Sequence, residues 1–201
     1  MLLAGDPVTT PGGGAFDSFF RMVGANADGD LSIAGFVQRP PYLFSPQAVF
    51  VIEGGVQREI VFRGDPIPGT SPARFYMQLA GSGPPALDRA GTVAFVGILT
   101  DELENVSELA LLVDAGDGIE VLAKEGDPVP DVPGATFTDF LDVRMADDGT
   151  IAFFGFTTIG VGAFLATPSP PAVTAVPSLG LWLLALALTA VAAANGRRGR
   201  A

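Results

Sequence analysis

The chain has 201 residues, enough for one ordinary domain with an appendage, and 48% of them are apolar. It contains no cysteine and no histidine, which excludes disulfides, thiolate or imidazole metal sites, cysteine nucleophiles and a Ser-His-Asp triad. The formal net charge of −11 argues against nucleic acid as a partner, because binding phosphates requires Lys and Arg.

From its N-terminus the chain repeats one segment three times. The copies are LLAGDPVTTPGGGAFDSFF (2–20), VFRGDPIPGTSPARFYMQL (61–79) and LAKEGDPVPDVPGATFTDF (122–140). Each contains a Gly-Asp-Pro triplet, at Gly5-Asp6-Pro7, Gly64-Asp65-Pro66 and Gly126-Asp127-Pro128, and then an aromatic residue at Phe16, Phe75 and Phe137. We call these triplets the GDP joints. A feature needed once per repeat indicates architecture, not a phosphate or metal site, and an Asp carboxylate can lock a turn by accepting backbone N–H groups two residues on.

A second landmark follows at the same period. Glycines Gly29, Gly91 and Gly149 each follow polar residues and precede alternating apolar residues, in NADGDLSIAGFV (26–37), LDRAGTVAFVGIL (87–99) and MADDGTIAFFGFT (145–157). This pattern is typical of β-hairpins. Together with a hairpin at Gly116–Gly118, it predicts four short strands per period of ~60 residues, in meander order. The 26 glycines and 17 prolines also favour many turns, so we predict an all-β fold of propeller-like blades spanning residues 1–167.

Three acidic segments are candidate sites. Asn26, Asp28 and Asp30 alternate as in a calcium loop, but Val37 stands where an EF-hand places its bidentate Glu, so a hairpin turn is the favoured interpretation. Calcium is therefore the only cofactor candidate. Residues 101–108 are a second cation candidate or a solvated loop, and Asp147–Asp148 is a carboxylate pair in a turn that cannot flank a substrate. We predict no catalytic residue and no enzyme activity.

The last residues indicate membrane anchoring. Residues 168–178 are rich in proline and small residues and predict a linker, and residues 179–194 are uncharged and strongly apolar. Sixteen helical residues rise about 24 Å, so the flanking residues must help this predicted helix to span a ~30 Å hydrocarbon core. Arg197, Arg198 and Arg200 then favour a cytoplasmic C-terminus with the acidic body on the other side of the membrane.

Two resemblances follow from these motifs. The tail, with Val176, Pro177 and Ser178 before the apolar segment and NGRRGR after it, resembles bacterial PEP-CTERM sorting signals, although it lacks their usual Glu-Pro. That likeness implies an exosortase-type processing enzyme as a partner. The body resembles bacterial tandem-repeat proteins with choice-of-anchor tails, which implies a propeller-like fold and brings no catalytic residues.

We therefore expect an exported, membrane-anchored bacterial surface protein that acts as a structural or interaction module, with a matrix polymer or surface protein as partner. Its body would lie outside the cytoplasm, in the cell envelope or at the surface. The alternatives are a carboxylate-dependent extracellular hydrolase or lyase on a propeller scaffold, and a truncated fragment without function. Three blades are fewer than the usual four to eight, and the first residues lack an export signal, so the sequence also predicts a longer parent protein. An open three-blade array is the other expectation, and it would expose apolar surface that favours self-association.

Overall fold

A computed structural model describes residues 4–42, 44–70, 72–80, 83–168 and 171–175, which form strands and turns without a helix. The strands are β1 (Ala15–Ala25), β2 (Leu31–Gln38), β3 (Gln47–Glu53), β4 (Val56–Phe62), β5 (Pro66–Ile67), β6 (Arg74–Ala80), β7 (Ala86–Leu87), β8 (Val93–Thr100), β9 (Ser107–Asp114), β10 (Ile119–Lys124), β11 (Phe137–Met145), β12 (Ile151–Thr157), β13 (Gly160–Pro168) and β14 (Pro171–Ala175). The predicted all-β class is confirmed.

The strands form three antiparallel sheets, one for each sequence repeat. The first sheet has the order β1-β2-β3-β4 and the third has the order β11-β12-β13-β14. The second sheet runs β10-β9-β8-β6-β5, with the short strand β7 also paired to β8. Each repeat thus contains a four-stranded meander, as the period of ~60 residues predicts. The sheets are curled and include a half-barrel.

The predicted membrane anchor and sorting motif lie at the C-terminal end of the chain. No helix among the described residues is long and apolar enough to span a membrane. The predicted helix at 179–194 and the sorting-motif residues lie outside the described part of the chain, namely Val176, Pro177, Ser178, Arg197, Arg198 and Arg200. Strand β14, at 171–175, lies inside the range predicted as a linker and pairs with β13.

The three sheets stack face to face, with the second in the middle. Side chains alternate across a strand, so Val93 and Phe95 of β8 pack toward the first sheet, whereas Ala94 and Val96 pack toward the third. Neighbouring β9 does the same, with Leu112 on one side and Leu111 and Val113 on the other. Burial on both faces explains why the β8 and β9 sequences are nearly continuous apolar runs.

The first sheet closes its outer face with its own residues. Val8, Phe16, Val37, Ala48, Phe50 and Phe62 form a separate buried cluster there. The polar cover over this cluster is an ion pair of 2.6 Å between Arg39 and Glu59, whose side chains are only 12% and 19% exposed. Thr10 donates a 3.1 Å hydrogen bond to Glu59, and the Arg39 guanidinium lies 4.3 Å from the centre of the Phe62 ring. This outer face is therefore capped within the chain.

Each GDP joint is fastened to the first strand of its own repeat by the same two backbone hydrogen bonds. The glycine N–H donates to the carbonyl oxygen of a buried aromatic residue, and that aromatic N–H donates to the Asp carbonyl oxygen. The pairs are Gly5/Asp6 with Phe16, Gly64/Asp65 with Tyr76 and Gly126/Asp127 with Phe137, at 2.6–2.9 Å. The apolar residue after each proline (Val8, Ile67 and Val129) is buried. Each triplet thus lies in a turn that is hydrogen-bonded to the first strand of its own repeat.

Two details differ from the sequence analysis. The buried aromatic of the second repeat is Tyr76, whereas Phe75 is half-buried, because the loop of that repeat is one residue longer. The Asp carboxylates also lock the turn backward, since Asp65 accepts the N–H of Phe62 at 2.8 Å and Asp127 accepts the N–H of Lys124 at 2.9 Å. Each Asp carboxylate thus accepts the N–H of the residue three positions earlier. The turn between them contains the glycine of the joint at positive φ, +94° at Gly64 and +87° at Gly126.

The carboxyl group of Asp65 supplies a test of the joint. Burial raises its pKa above the ordinary value of 3.8, and the Phe62 N–H opposes that shift. A raised folded-state pKa means that the contribution of Asp65 to stability is full below the unfolded pKa and is lost as the pH rises through the folded pKa. At pH 7 we expect Asp65→Asn, which retains an acceptor for Phe62, to be at least as stable as the natural chain.

Asp65→Ala leaves the Phe62 N–H without its acceptor and should be about 1–2 kcal/mol less stable than Asp65→Asn. Urea unfolding of both variants at pH 7 and pH 3 measures these differences. The advantage of the Asn variant over the natural chain should disappear at pH 3. Equal stability of the Ala and Asn variants would show that the carboxylate does not hold the turn.

Candidate functional site

The two ends of the stacked sheets differ in how their strands are connected. At the turn end, five-residue turns at 26–30 and 146–150 join the first and second strands of the outer repeats, and the turn at 88–92 joins the short strand β7 to β8 in the second repeat. Each has its glycine at positive φ, between +81° and +89°, a conformation that other residues rarely adopt. Gly29, Gly91 and Gly149 thus each lie in a turn between two paired strands.

These turns meet one another across the repeats. The Asn26 side-chain amide donates to the carbonyl oxygen of Asp88 at 3.0 Å. Arg89 lies between the other two turns, with its Nε 3.6 Å from Asp28 and 3.7 Å from Asp147. These ion pairs are more than half exposed, so each contributes little to stability. The positive charge of Arg89, in the second repeat, is thus close to one carboxylate of the first repeat and one of the third.

The calcium-loop candidates serve the turn instead. Asn26 Oδ1 accepts the N–H groups of Asp28 and Asp30, at 3.0 and 2.9 Å, while its amide nitrogen donates to Asp30 and Asp88. Asp30 also accepts the N–H of Gly54 at 3.1 Å. No group of three or more acidic residues in the described chain has the geometry to hold a metal ion. Asn26 Oδ1 and one carboxylate oxygen of Asp30 thus accept backbone N–H groups, whereas the Asp28 carboxylate lies beside Arg89.

The acidic pair at 147–148 has the same turn role. Asp148 accepts the N–H of Thr150 at 2.9 Å, and this hydrogen bond holds the pKa of the exposed Asp148 carboxyl below its ordinary value. Asp28 and Asp147, from different repeats, lie beside the same arginine, but both side chains are about 60% exposed. Such solvated carboxylates lack the dry environment in which charges act strongly on a substrate.

The opposite end, which we call the loop end, varies between repeats. The connections between the second and third strands of each repeat are 39–46, 101–106 and 158–159, or eight, six and two residues. They carry exposed apolar side chains: Phe44, Leu103, Val106 and Ile159. Constant turns at one end and variable loops at the other are the arrangement in which a scaffold positions recognition loops.

A cleft of about 200 Å³ lies at the loop end of the second repeat. It is lined by Gly64, Phe75, Tyr76, Thr100, Asp101, Glu102 and Glu104. Gly64 belongs to the GDP joint and is hydrogen-bonded to Tyr76, so the joint positions the aromatic side of the cleft. The 101–106 loop supplies three carboxylates on the other side. An aromatic side chain beside three carboxylates suits a ligand that carries a cationic group.

The carboxylates of the cleft have different hydrogen-bond partners. Glu104 accepts a 2.6 Å hydrogen bond from Arg63, whose guanidinium lies 5.6 Å from the Phe44 ring of the first repeat. Asp101 accepts the N–H of Asn105 at 2.7 Å and thereby folds the loop. The Thr100 hydroxyl is buried and has no hydrogen-bond partner among the described residues. The loop is thus held by Arg63 and Asp101, while one polar atom in the wall of the cleft is unsatisfied.

Beside the cleft, Glu108 joins the second repeat's strands through two cations. Its carboxylate is 2.9 Å from Arg74 and 2.6 Å from Lys124. Burial raises the pKa of Glu108, but the hydrogen bonds from Lys124 and Arg74 outweigh that effect and bring it below the ordinary value of 4.5. Glu108 is therefore a structural anion, which removes it from the cation site considered at 101–108. Burial alone raises the pKa of the neighbouring Tyr76 well above its ordinary value.

The amino-acid sequence indicates the acidic loop but not the cleft. The sequence pattern places Gly64 and Asp65 in a joint. Phe75 and Thr100 line the same wall of the cleft because strand pairing places Phe75 opposite Thr100. The repeats do contain an indication of the cleft. The connection that follows the strand after Gly29, Gly91 and Gly149 differs in length between copies, whereas the turns that contain these glycines keep the same length. Residues in the segment of variable length are the ones to examine for recognition.

Comparison with known proteins yields one result. A family model described as a family of unknown function (DUF7453) matches residues 2–178, which is the repeat body and the whole of the predicted linker. No curated protein and no solved structure matches the chain.

The ion pairs of Glu108 predict a pH-dependent loss of stability on mutation. Its depressed pKa means that the stabilisation is present above the unfolded pKa and is lost as the pH falls through the folded pKa. Glu108→Gln should destabilise the chain by about 1–3 kcal/mol at pH 7 and by much less below pH ~3. Thermal unfolding across this pH range measures the effect, with Glu102→Gln at an exposed position as the control. A loss that is the same at both pH values would contradict the assignment.

Proposed function

The chain belongs to the DUF7453 family, and we propose that it is an exported, membrane-anchored bacterial surface protein whose β-repeats act as an interaction module. The three stacked four-stranded sheets would be blades of a propeller-like array, held outside the cytoplasm by the apolar segment at 179–194. The sorting-motif residues and the terminal arginines support the anchor from sequence alone.

One observation carries the interaction role, namely the contrast between the two ends of the sheets. The turn end repeats the same five-residue hairpin three times, whereas the loops at 39–46, 101–106 and 158–159 differ in length and expose apolar side chains. Loops that differ on a repeated scaffold are the segments that bind partners. The loop end is therefore the recognition surface.

The chemistry of the loop end restricts its partners. The body contains all 22 acidic residues but only 8 of the 11 basic ones, and the cleft adds Asp101, Glu102 and Glu104 beside Phe75. This surface would repel nucleic acid and attract cationic groups that also offer apolar contact. We propose a surface protein or matrix polymer bearing amino or guanidinium groups as the partner.

The anchoring part of the proposal predicts where the native protein is found. After fractionation of the source cell, the full chain should be in the envelope fraction, and externally added protease should degrade its body in intact cells. Mass spectrometry of the recovered protein then reports its processing. Recovery in the cytoplasmic fraction, protected from protease, would refute the export proposal.

The interaction part is tested by exchanging loops within the protein. Residues 101–106 are replaced by the two-residue Thr158–Ile159 connection of the third repeat, which already joins equivalent strands. The full chain in lipid nanodiscs is labelled and added to source cells that lack the gene, and binding is counted by flow cytometry. We expect at least a tenfold loss of binding for the exchanged loop and no loss for Arg89→Ala, at the turn end. Equal binding by all three proteins would overturn the assignment of the loop end.

A further inference from the structure

The residue before the glycine of a GDP joint differs between repeats: it is Ala4, Arg63 and Glu125. The backbone is the same at the last two positions, since both N–H groups donate to a carbonyl oxygen in the third strand of the preceding repeat, at 3.1 and 2.8 Å. Their side chains differ, because Arg63 is 19% exposed and ion-paired, whereas Glu125 is exposed and has no ion pair within the described part of the chain. The second joint therefore has a side-chain contact that the third joint lacks.

Arg63 contacts both of the longer loops at the loop end, 39–46 (the first loop) and 101–106 (the second loop). Its guanidinium donates a hydrogen bond of 2.6 Å to Glu104 in the second loop. The same guanidinium lies 5.6 Å from the centre of the Phe44 ring in the first loop, a distance at which a cation is attracted to an aromatic face. One side chain thus contacts loops of two different repeats.

The first loop is also fixed to the joint by Tyr42. Its hydroxyl donates a 3.2 Å hydrogen bond to the carbonyl oxygen of Arg63, and its ring centre lies 5.5 Å from that of Phe62. Tyr42 and Phe44 are in edge-to-face contact, with ring centres 6.1 Å apart. The Phe44 ring therefore contacts a residue that is itself anchored at the joint.

The second loop is strained at the residue that pairs with Arg63. Glu104 has φ +57°, in the left-handed region that residues with a Cβ rarely adopt. Its N–H donates to the carbonyl oxygen of Asp101 at 3.0 Å, and its side chain is 52% exposed, so burial does not hold this conformation. Strained residues persist where their contacts over-determine them, and they are concentrated at binding sites. The hydrogen bond from Arg63 is such a contact.

The third loop, 158–159, is not joined to the second loop in this way. It has two residues, and the N–H of Thr158 donates to Thr136 of its own repeat at 3.0 Å. Glu125 stands where the preceding joint has Arg63, and its negative charge cannot pair with an acidic loop. The loops that are connected through a joint residue are therefore those of the first and second repeats.

We propose that Arg63 is a positioning residue that joins the first and second loops into one recognition surface, so that a partner binds across the boundary between the first two repeats. The partner is the cationic one of the proposed function, on which this inference rests. Arg63 acts through Glu104 and Phe44, because it holds the acidic and the aromatic side of the surface at a fixed spacing. Loops that are already held in place lose less freedom on binding, which strengthens the complex.

The charges and apolar side chains of this surface fit that division of roles. Arg63 neutralises Glu104, so this carboxylate holds the loop instead of the partner. Glu102 makes no hydrogen bond or ion pair with the residues that the structure describes, and it is left to attract the cationic group. Phe44 and Leu103, which are 59% and 79% exposed, offer the apolar contact.

The positioning role is tested without a partner. Because the chain contains no cysteine, a single spin label can be attached at Leu103→Cys in the full chain in lipid nanodiscs. Arg63→Ala and Glu104→Asn should each shorten the rotational correlation time of the label at least twofold, because each removes the pair that holds the loop. Asn tolerates a left-handed φ and this position is exposed, so the second variant keeps the turn and serves even if Arg63→Ala does not fold. Glu125→Ala, at the same position of the next joint, is the matched control and should leave the label unchanged.

The recognition role is tested with the same variants, without the label, by flow cytometry on source cells that lack the gene. Removing only the positive charge of Arg63 would strengthen the attraction for a cationic partner, whereas releasing the loops weakens binding. We expect Arg63→Ala to lower binding at least fivefold and Phe44→Ala at least threefold, since both loops contact the partner. Glu125→Ala should change binding less than twofold.

Each part of the proposal has its own contradicting result. Unchanged label mobility in both Arg63→Ala and Glu104→Asn would overturn the positioning role. Higher mobility together with unchanged or stronger binding by Arg63→Ala, or full binding by Phe44→Ala, would overturn the shared recognition surface and leave the proposed function standing. Absence of binding by the natural chain would refute the proposed function, and the recognition surface with it.

Discussion

The structure depends on the burial of both faces of its second sheet. A four-stranded sheet has two faces and cannot cover either of them alone, so Phe95 and Leu112 require the first sheet, while Val96 and Leu111 require the third. The other features follow from this stacking. The GDP joints have to carry the chain from one layer to the next, and the strands at the centre have to be apolar on both sides.

The joints make the stacking repeatable. In each, two backbone hydrogen bonds fasten the Gly-Asp pair to the first strand of its own repeat, and the apolar residue after the proline is buried. A β-bulge follows directly after the buried aromatic in all three copies, between Phe16 and Ser18, Tyr76 and Gln78, and Phe137 and Asp139. Bulges bend a strand and increase its twist, so the same joint also contributes to the curl of each sheet.

The sequence predicted the parts of this fold that depend on local patterns. Period, strand order and turn glycines were readable because a hairpin needs positive φ at one position and alternation beside it, as at Gly149. What depends on register was not readable. An extra residue in the second joint moved the buried aromatic from Phe75 to Tyr76. The Asn26 side chain, which suggested a cation ligand, accepts N–H groups of its own turn with its oxygen and donates with its nitrogen to a carbonyl of the neighbouring repeat. The cleft required strand pairing between distant segments, for which no residue pattern exists.

Because the outer face of the first sheet is covered by the Arg39–Glu59 pair, a repeat added by gene duplication fits after the first repeat and not ahead of it. A duplicated unit copied from the second repeat carries Val121 where the first repeat carries Glu59, so it presents an apolar surface toward the layer before it. Such a unit can be inserted behind the first repeat without leaving a charge buried. A unit inserted ahead of the first repeat would have to displace the Arg39–Glu59 pair. Lineages of this protein should therefore differ in length by whole units placed after the first repeat, with the charged pair kept at the start of the array.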